Sequence, residues 1–541
     1  MANSVPNHNL EACKMHILVT DNLHSAGAEL LLEAGFTVDV IDGRLSEEEL
    51  LACVADYEGI IVRSGTRISQ AVLDQATKLK VVGRAGSGVD NIDVAAASRK
   101  GVVVMNTPGG NTVTTAEHAI AMTLSMARKI PQASATLRSG RWAKKEFMGT
   151  EVTGKTMGVL GMGNIGTVVA RRAMGLGMRV LAFDPYLKES EARRIGVEPA
   201  DLETVLAKSD FVTIHVPGGQ DTHHLLNAER LALMKPGAHL INCARGGIVD
   251  EAALLDALNS GHLAGAALDV FEVEPPPADH PLLGHPNVVA TPHLGASTTD
   301  AQINVAVAVA QQFVDYLKNG VIANALNFPP IPREAYQRLR PYLALAEKMA
   351  SFIAQLSSGT MEELEVEYRG EIPADDLTPI TIAAVKGLLT PALRDSVNHI
   401  NAMTLAAERG VKIRETRAQV PRDYLNLIAL KYRVGGVERL IAGTLFGKTE
   451  PRIVHLDNYR VEIVPEGHLL ICTNRDEPGV LGAIGSGLGT LKINIGGLQL
   501  GRDRRGGNAL SVFSIDQAAD SHVITELQKI KHVTSAVSVS L

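Results

Sequence analysis

Three glycines, Gly161, Gly163 and Gly166, follow an apolar run that begins at Thr156. A glycine turn of this spacing between a strand and a helix is typical of a site that binds the pyrophosphate of a dinucleotide. The first glycine permits the tight turn, the second lets the backbone approach the phosphates, and the third lets the helix pack against the strand. The N-terminus of the helix that follows supplies unpaired N–H groups and the positive end of a dipole.

An acidic residue stands where such a turn needs one. Asp184 follows a predicted strand over 178–183 and lies 18 residues after Gly166 (184 − 166 = 18). A carboxylate at this place accepts hydrogen bonds from the adenine ribose hydroxyls, and its charge repels a 2′-phosphate. The sequence therefore predicts that the cofactor is NAD rather than NADP.

The elements around this turn alternate between strand-like and helix-like patterns. Apolar runs at 15–20, 59–62 and 80–83 predict strands separated by helices, and a second series of the same kind runs from Thr156 to about Pro292. This alternation is typical of parallel sheets in α/β proteins. A helix predicted over 112–127 is rich in Ala and Met, which indicates burial, and another over 301–317 would return to the first unit. We predict two Rossmann-like lobes, with the second inserted in the first.

The last third of the chain predicts two further domains. Pro329, Pro330 and Pro332 indicate a linker. Residues 333–463 show mixed helix and strand patterns. Residues 468–541 have the order βαββαβ, which is that of a ferredoxin-like fold.

Composition excludes several classes of protein. Among 541 residues, 45% are hydrophobic and 21% charged, and the net charge is −7, so a strongly basic nucleic-acid surface is not indicated. The four cysteines form no CxxC pair, which favours neither a zinc site nor a disulfide framework. The first ten residues lack the features of a signal peptide, and the sequence has no run of 18 apolar residues. We therefore expect a cytoplasmic protein with no metal site and no membrane or nucleic-acid partner.

Five segments occur in an order that resembles the D-isomer-specific 2-hydroxyacid dehydrogenases. They are GRAGSGVDNID (83–93), GMGNIG (161–166), CARGGIVD (243–250), ALDVFEVEP (267–275) and TPHLGAS (291–297). The resemblance covers about residues 15–325 and implies oxidation of a 2-hydroxy acid by NAD. One segment departs from the family pattern: Gly218, Gly219 and Gln220 stand where the family usually has Leu followed by Thr or Lys.

The resemblance implies that Arg245, Glu274 and His293 carry catalysis. Histidine suits the base that takes the hydroxyl proton, because its unperturbed pKa is about 6.5. A neighbouring Glu274 would orient the ring and favour its protonated form. Arg245 would offer a planar, two-pronged donor to the substrate carboxylate and C2 oxygen. Spacing alone leaves open that Arg245 is a structural ion-pair partner and that Glu274 caps a turn.

Further residues are implied to contact the cofactor and the substrate. Asp269 matches the position that bonds the nicotinamide amide, and His215 and Val216 would flank the adenosine. The predicted cofactor contacts are completed by Asn164, Ile165, Cys243, Ala244, Gly295 and Ala296. The predicted substrate contacts are Arg63, Ser64, Arg84, Asn106 and Gly109, with Asn111 in the same loop. Arg63 and Arg84 would bind the substrate phosphate and carboxylate, unless they are ordinary surface or inter-lobe residues.

The tail resembles two modules that accompany one branch of this family. Residues 468–541 resemble an ACT domain, a module that binds amino acids, and Asp476 and Asn494 match its effector positions. Residues 333–463 resemble the intervening domain of long-form phosphoglycerate dehydrogenases. The resemblance implies oxidation of 3-phospho-D-glycerate to 3-phosphooxypyruvate, the first step of L-serine biosynthesis. It also implies a homodimer or homotetramer, with L-serine as an effector or with the tail serving assembly only.

Two alternatives stay open from the sequence. One is a glyoxylate or hydroxypyruvate reductase, which would need neither Arg63 and Arg84 nor an ACT tail. The other is a nucleotide-sensing corepressor on the same fold.

The predicted domains are an N-terminal extension (1–13), a substrate domain (14–111 and 297–328), an NAD domain (112–296), an intervening domain (329–464) and an ACT domain (465–541).

Overall fold

A computed structural model of the chain describes residues 15–331, 333–372, 376–418 and 424–541. The predicted extension 1–13 therefore lies outside the described residues. Among the helices in the described ranges, none combines the length and the apolar character that a bilayer span requires.

The first sheet has five parallel strands in the order β2-β1-β3-β4-β5. Its strands are β1 (His16–Val19), β2 (Thr37–Val40), β3 (Gly59–Val62), β4 (Val81–Arg84) and β5 (Val103–Asn106). Its helices are α1 (Ser25–Glu33), α2 (Glu47–Cys53), α3 (Gln70–Gln75) and α4 (Val94–Lys100). The apolar side chains of the central strands are buried on both faces, as expected where helices cover a parallel sheet.

The second sheet has seven parallel strands in the order β12-β11-β10-β9-β6-β7-β8. Its strands are β6 (Thr156–Leu160), β7 (Arg179–Phe183), β8 (Glu198–Pro199), β9 (Phe211–Ile214), β10 (Ala238–Asn242), β11 (Leu263–Leu268) and β12 (Val288–Ala290). Its helices are α5 (Thr112–Ala127), α6 (Ile130–Arg138), α7 (Asn164–Gly175), α8 (Glu189–Ile195), α9 (Leu202–Lys208), α10 (Ala228–Leu233), α11 (Glu251–Asn259) and α12 (Pro281–Gly284). The strand order reverses between β6 and β9, and ligands of such sheets bind at the carboxyl ends of the strands beside that reversal.

Helix α13 (Thr299–Asn319) returns to the first sheet, as the sequence predicts. Its Phe313 is fully buried over strands β3 and β4. A Cβ atom at Gly59 or Gly83 would come within 2.8 or 2.5 Å of the Phe313 ring, so both glycines are needed for this close packing. The predicted insertion of one lobe in the other is confirmed.

The third unit is α+β. Its helices are α14 (Arg333–Leu356), α15 (Thr378–Leu393) and α16 (Ala402–Glu408). Its strands are β13 (Met361–Gly370), β14 (Lys412–Ala418), β15 (Asn426–Val434), β16 (Val437–Phe446), β17 (Glu450–Leu456) and β18 (Tyr459–Ile463). The sheet order is β14-β13-β15-β16-β17-β18, and only the β13–β14 pair among these described strands is parallel.

The fourth unit has the predicted βαββαβ order. It comprises β19 (His468–Arg475), α17 (Val480–Thr490), β20 (Ile495–Arg502), β21 (Asn508–Ile515), α18 (Ser521–Gln528) and β22 (Val533–Ser540). The antiparallel sheet has the order β20-β21-β19-β22, so the ferredoxin-like prediction is confirmed. Gln355 of α14 bonds the backbone of Ser540 in both directions, at 2.9 and 3.0 Å, and so joins the third and fourth units. The domain bounds given above stay a prediction.

Candidate active site

The glycine turn lies between β6 and α7. Gly161 has φ +94°, and a Cβ there would lie 2.6 Å from the carbonyl oxygen of His215. A Cβ at Gly166 would lie 1.9 Å from the carbonyl oxygen of Gly161, so a larger residue would separate helix from strand. At Gly163 no described atom lies within 4 Å of the Cβ position, which leaves the backbone open to a ligand. Asn164 and Ile165 form the first turn of α7, where unpaired N–H groups face the same space.

The adenosine side of the turn also fits a dinucleotide. Asp184 accepts backbone N–H groups of Met162 and Tyr186, each at 2.8 Å and each on a different carboxylate oxygen. Each oxygen thus keeps a second acceptor position for a ribose hydroxyl.

His215, after β9, bonds Thr213 through Nε2 at 2.9 Å, and among the described residues its buried Nδ1 has no partner. Burial lowers the pKa of His215 to about 4, so the ring is neutral. Val216 follows it and lies against Gly161.

Arg245 projects from the loop after β10 toward the other lobe. Its Nε donates to Asp90 at 3.1 Å, and its Nη1 to the carbonyl oxygen of Ala244 at 2.7 Å. A Cβ at Gly88 would lie 1.8 Å from its Nη2, so that glycine makes room for the guanidinium. Cys243, which precedes Ala244, is buried, and burial raises the pKa of its thiol. Arg245 therefore reaches from the NAD lobe across the cleft to the first lobe.

Glu274 and His293 form a hydrogen-bonded pair. His293 Nδ1 and Glu274 Oε2 lie 2.7 Å apart, and Glu274 Oε1 accepts the N–H of Phe271 at 3.1 Å. Burial acts to raise the pKa of Glu274, but the hydrogen bond and charge of His293, with the Phe271 N–H, hold it below its ordinary value. The carboxylate is thus ionised at neutral pH. Because Nδ1 donates its proton to Glu274, the neutral ring carries its lone pair on Nε2.

Asp269 lies directly after β11 and is 1% exposed. Its Oδ1 accepts Leu294 N–H at 2.7 Å and Thr291 Oγ1–H at 2.6 Å, and its Oδ2 accepts Gly295 N–H at 2.8 Å. Burial acts to raise its pKa, but these donors and His118 hold it below the ordinary value. Asp269 therefore anchors the loop that carries His293, Gly295 and the half-buried Ala296. Its predicted contact with nicotinamide stays a prediction.

The predicted substrate arginines face the same cleft as Arg245. Burial and the positive charges of Arg245 and Arg63 lower the pKa of Arg84 to about 10. Its buried Nε has no partner among the described residues, and its Nη1 reaches only the carbonyl oxygen of Ala85, at 3.3 Å. Asp90 and Asp21 offset part of this positive charge, and the gathering of three guanidinium groups fits an anion, either a carboxylate or a phosphate.

The remaining predicted substrate residues lie on two loops of the first lobe. Asn106 Nδ2 donates to the carbonyl oxygen of Ser87 at 2.6 Å, and Ser87 Oγ donates to Asn111 at 2.8 Å. These bonds fix the loop after β4 that follows Arg84. Gly109 has φ +96° and is exposed, as is Ser64 after β3. Asn106 and Asn111 thus shape the loop, and their contact with substrate stays a prediction.

The two predicted effector residues lie at opposite ends of the fourth sheet within one chain. Asp476 follows β19 and accepts from Arg502 Nη1 at 3.2 Å and from Gly506 N–H at 3.0 Å. Asn494 precedes β20 and donates to Asp516 at 2.8 Å. A single ligand can contact both only if a second copy of the domain supplies one of them.

Three residues of the site escaped the sequence analysis. His118 on α5 bonds Asp269, Thr291 bonds the same carboxylate oxygen, and Asp90 pairs with Arg245. A histidine within a helix rich in Ala and Met was a usable signal, since a buried polar group needs a partner. The local sequence does not indicate the pairing of Asp90 with Arg245, because the two residues lie 155 positions apart.

Three family models match the chain. They describe the NAD-binding domain of D-isomer specific 2-hydroxyacid dehydrogenases (residues 120–295), the D-3-phosphoglycerate dehydrogenase intervening domain (338–457) and the ACT domain (468–532). Solved structures similar to the first two lobes include D-lactate dehydrogenase from Escherichia coli, with a TM-score of 0.52 and 29% identity. That alignment covers 58% of this chain and 100% of the other. D-2-hydroxyisocaproate dehydrogenase has a TM-score of 0.52 and 30% identity, over 58% of this chain and 99% of the other.

Curated relatives align over nearly the whole length. D-3-phosphoglycerate dehydrogenase of Archaeoglobus fulgidus is 42% identical, over 97% of this chain and 100% of the relative. The enzyme of the same name from Bacillus subtilis is 39% identical, over 97% of this chain and 99% of the relative. This chain, with its two Rossmann-like lobes, its intervening domain and its ACT domain, belongs to the D-3-phosphoglycerate dehydrogenase family.

Proposed function

We propose that the chain oxidises 3-phospho-D-glycerate at C2 to 3-phosphooxypyruvate while NAD is reduced, the first step of L-serine biosynthesis. The observation that carries the proposal is the His293–Glu274 pair, 2.7 Å apart, in a chain whose cleft gathers Arg245, Arg84 and Arg63. A base and an anion site are the two things that oxidation of a phosphorylated 2-hydroxy acid requires.

In the proposed reaction, His293 Nε2 takes the proton of the C2 hydroxyl. Glu274 stabilises the imidazolium that forms and holds the ring in the tautomer with its lone pair on Nε2. Bound NAD supplies the acceptor for the hydride that leaves C2. Arg245 binds the substrate carboxylate and the C2 oxygen, so that the hydroxyl is aligned with the base.

The cofactor role rests on the residues of the turn. Gly161, Gly163 and Gly166 would hold the pyrophosphate and Asp184 the adenine ribose. The buried, unpartnered Nδ1 of His215 and the open space at Gly163, both judged among the described residues, favour a ligand in this crevice.

Arg84 and Arg63 would bind the substrate phosphate. A buried guanidinium whose pKa is lowered by two neighbouring arginines is stabilised when a dianion binds among them. We propose that Arg84 and Arg63 distinguish 3-phosphoglycerate from unphosphorylated 2-hydroxy acids.

The test is NADH formation with 3-phosphoglycerate, compared with reduction of glyoxylate and of hydroxypyruvate at equal enzyme concentration. We expect kcat/KM to be highest with the phosphorylated substrate. A higher kcat/KM for glyoxylate or hydroxypyruvate would support the reductase alternative. No turnover of any of the three would favour the corepressor.

We further propose a cytoplasmic homodimer or homotetramer that binds L-serine through its ACT domain. Helix α6 has no buried residue in the described chain, and Ile130 and Leu137 on it are 52% and 55% exposed. Trp142 and Met148 beyond it are 81% and 79% exposed, and an apolar surface of this kind favours a second copy. In such an assembly Asp476 of one chain and Asn494 of another could hold the ammonium and the polar groups of serine.

A further inference from the structure

The backbone of His293 is held in an unusual conformation. Its φ is +55°, in the left-handed region that a residue with a large side chain seldom adopts. Its N–H donates to the carbonyl oxygen of Asp269 at 2.9 Å and to that of Thr291 at 3.0 Å. A conformation of this kind persists only where neighbouring contacts fix it.

The side chain of Asp269 also holds the backbone that follows His293. The two N–H groups that follow His293, those of Leu294 and Gly295, donate to separate oxygens of the Asp269 carboxylate at 2.7 and 2.8 Å. The direction in which His293 leaves the loop therefore depends on where this one carboxylate sits.

His118 is one of the groups that set the position of the carboxylate. Its Nε2 lies 3.2 Å from Asp269 Oδ1 and 3.2 Å from Thr291 Oγ1. Thr291 Oγ1 donates its one hydrogen to Asp269 Oδ1 and Asp269 only accepts, so Nε2 carries the proton that it shares between these two oxygens. The side chain of His118 is 18% exposed and that of Asp269 1%, so water offers little replacement for this donor.

We propose that His118 is a positioning residue for the base of the reaction: through Asp269 it holds the loop in which His293 meets Glu274. The inference rests on the proposed role of His293. Without the His118 donor, the carboxylate loses one of the contacts that fix its position, the Leu294 and Gly295 bonds weaken, and the contact between His293 and Glu274 loosens.

The first test is kinetic. His118→Leu removes the donor, whereas His118→Gln keeps an N–H group near the place of Nε2. We expect kcat to fall about 10-fold in His118→Leu, because a misplacement of about 1 Å costs about 100-fold and the other three donors remain. KM for 3-phosphoglycerate should stay within about twofold, and His118→Gln should recover most of kcat. Ser125→Ala, on the same helix, is the matched control and should behave as the wild type.

The second test does not depend on activity. Diethyl pyrocarbonate modifies histidine side chains, and peptide mass spectrometry reports the rate of modification at His293 at one fixed pH. A looser contact with Glu274 leaves the imidazole free to turn toward the reagent, so His293 should be modified about threefold faster in His118→Leu than in the wild type. His118→Gln should stay near the wild-type rate. If His118→Leu does not fold, His118→Asn, whose amide is too short to reach Asp269, replaces it with the same expectations.

An unchanged modification rate of His293 together with an unchanged kcat in His118→Leu would overturn the inference, and so would an equal effect of Ser125→Ala. A wild type that forms no NADH from 3-phosphoglycerate would instead refute the proposed function, and the modification rate of His293 would still test the positioning role of His118.

Discussion

Replacing Glu274 by glutamine removes one charge from the catalytic pair and keeps its shape. In the wild type the carboxylate stabilises the imidazolium form of His293 across the 2.7 Å contact. An amide at the same place carries no charge, so the imidazolium loses that stabilisation. We predict that kcat/KM falls in Glu274→Gln, because the proton transfer leaves an imidazolium that an amide stabilises less than a carboxylate does.

The size of the loss follows from the geometry. Two unit charges about 4 Å apart interact by about 4 kcal/mol at an effective dielectric constant of 20. The side chains of His293 and Glu274 are 46% and 35% exposed, and solvent-exposed pairs are worth about 0.2–1 kcal/mol, so we take about 1 kcal/mol. Since about 1.4 kcal/mol corresponds to a tenfold change in rate, kcat/KM should fall about fivefold.

The assay is NADH formation at subsaturating 3-phosphoglycerate and one fixed pH. Glu272→Gln is the matched control, because Glu272 bonds His224 at 3.0 Å rather than His293. Its kcat/KM should equal that of the wild type. An unchanged kcat/KM in Glu274→Gln, or an equal loss in the Glu272 variant, would refute the role given to Glu274.

Four other expectations concern the cofactor, the phosphate and the tail. The wild type should strongly prefer NAD, and Asp184→Ala should relax that preference in paired NAD and NADP assays; equal use of both by the wild type would contradict the role of Asp184. Arg84→Ala should raise KM for 3-phosphoglycerate about 10- to 100-fold, which corresponds to the loss of a hydrogen bond to a charged group. KM for an unphosphorylated 2-hydroxy acid should rise much less, and the exposed control Arg67→Ala should leave both KM values unchanged. Equal increases of KM for both substrates would mean that Arg84 only joins the lobes. Because burial and two neighbouring arginines lower the pKa of Arg84 to about 10 and it binds only while protonated, KM for 3-phosphoglycerate should rise as pH passes about 10 in the wild type and not in Arg84→Ala, and an equal rise in both would contradict the role of Arg84. L-Serine should change the rate of the wild type and have a weaker effect on Asp476→Ala; if it neither binds to the wild type nor alters its rate, the tail serves assembly only.

Much of the fold follows from periodicity and turn residues. Strand β3 and helix α5 begin and end at the predicted residues. Helix α7 begins at Asn164, inside the glycine turn, so the turn itself supplies the first N–H groups of the helix. The central strands are short apolar runs buried on both faces between turn residues, which explains why local pattern was sufficient to place them.

The site was predictable in its residue types but less so in its contacts. Glu274 and His293 meet as the family resemblance implies, yet that resemblance did not indicate that Asp269 would bond three groups of the His293 loop. Such bonds depend on where β11 ends relative to β12, which is a property of the assembled sheet. The same holds for His118, which reaches Asp269 only because α5 packs beside the ends of these strands.

The most direct test follows the hydrogen that leaves C2. With 3-phosphoglycerate deuterated at C2, the wild type should place one deuterium in each NADH formed, as measured by mass spectrometry. His293→Gln should perform the same transfer at least about 100-fold more slowly, the low end for a general base. NADH without deuterium, no NADH at all, or a near-normal rate in the His293 variant would contradict the account.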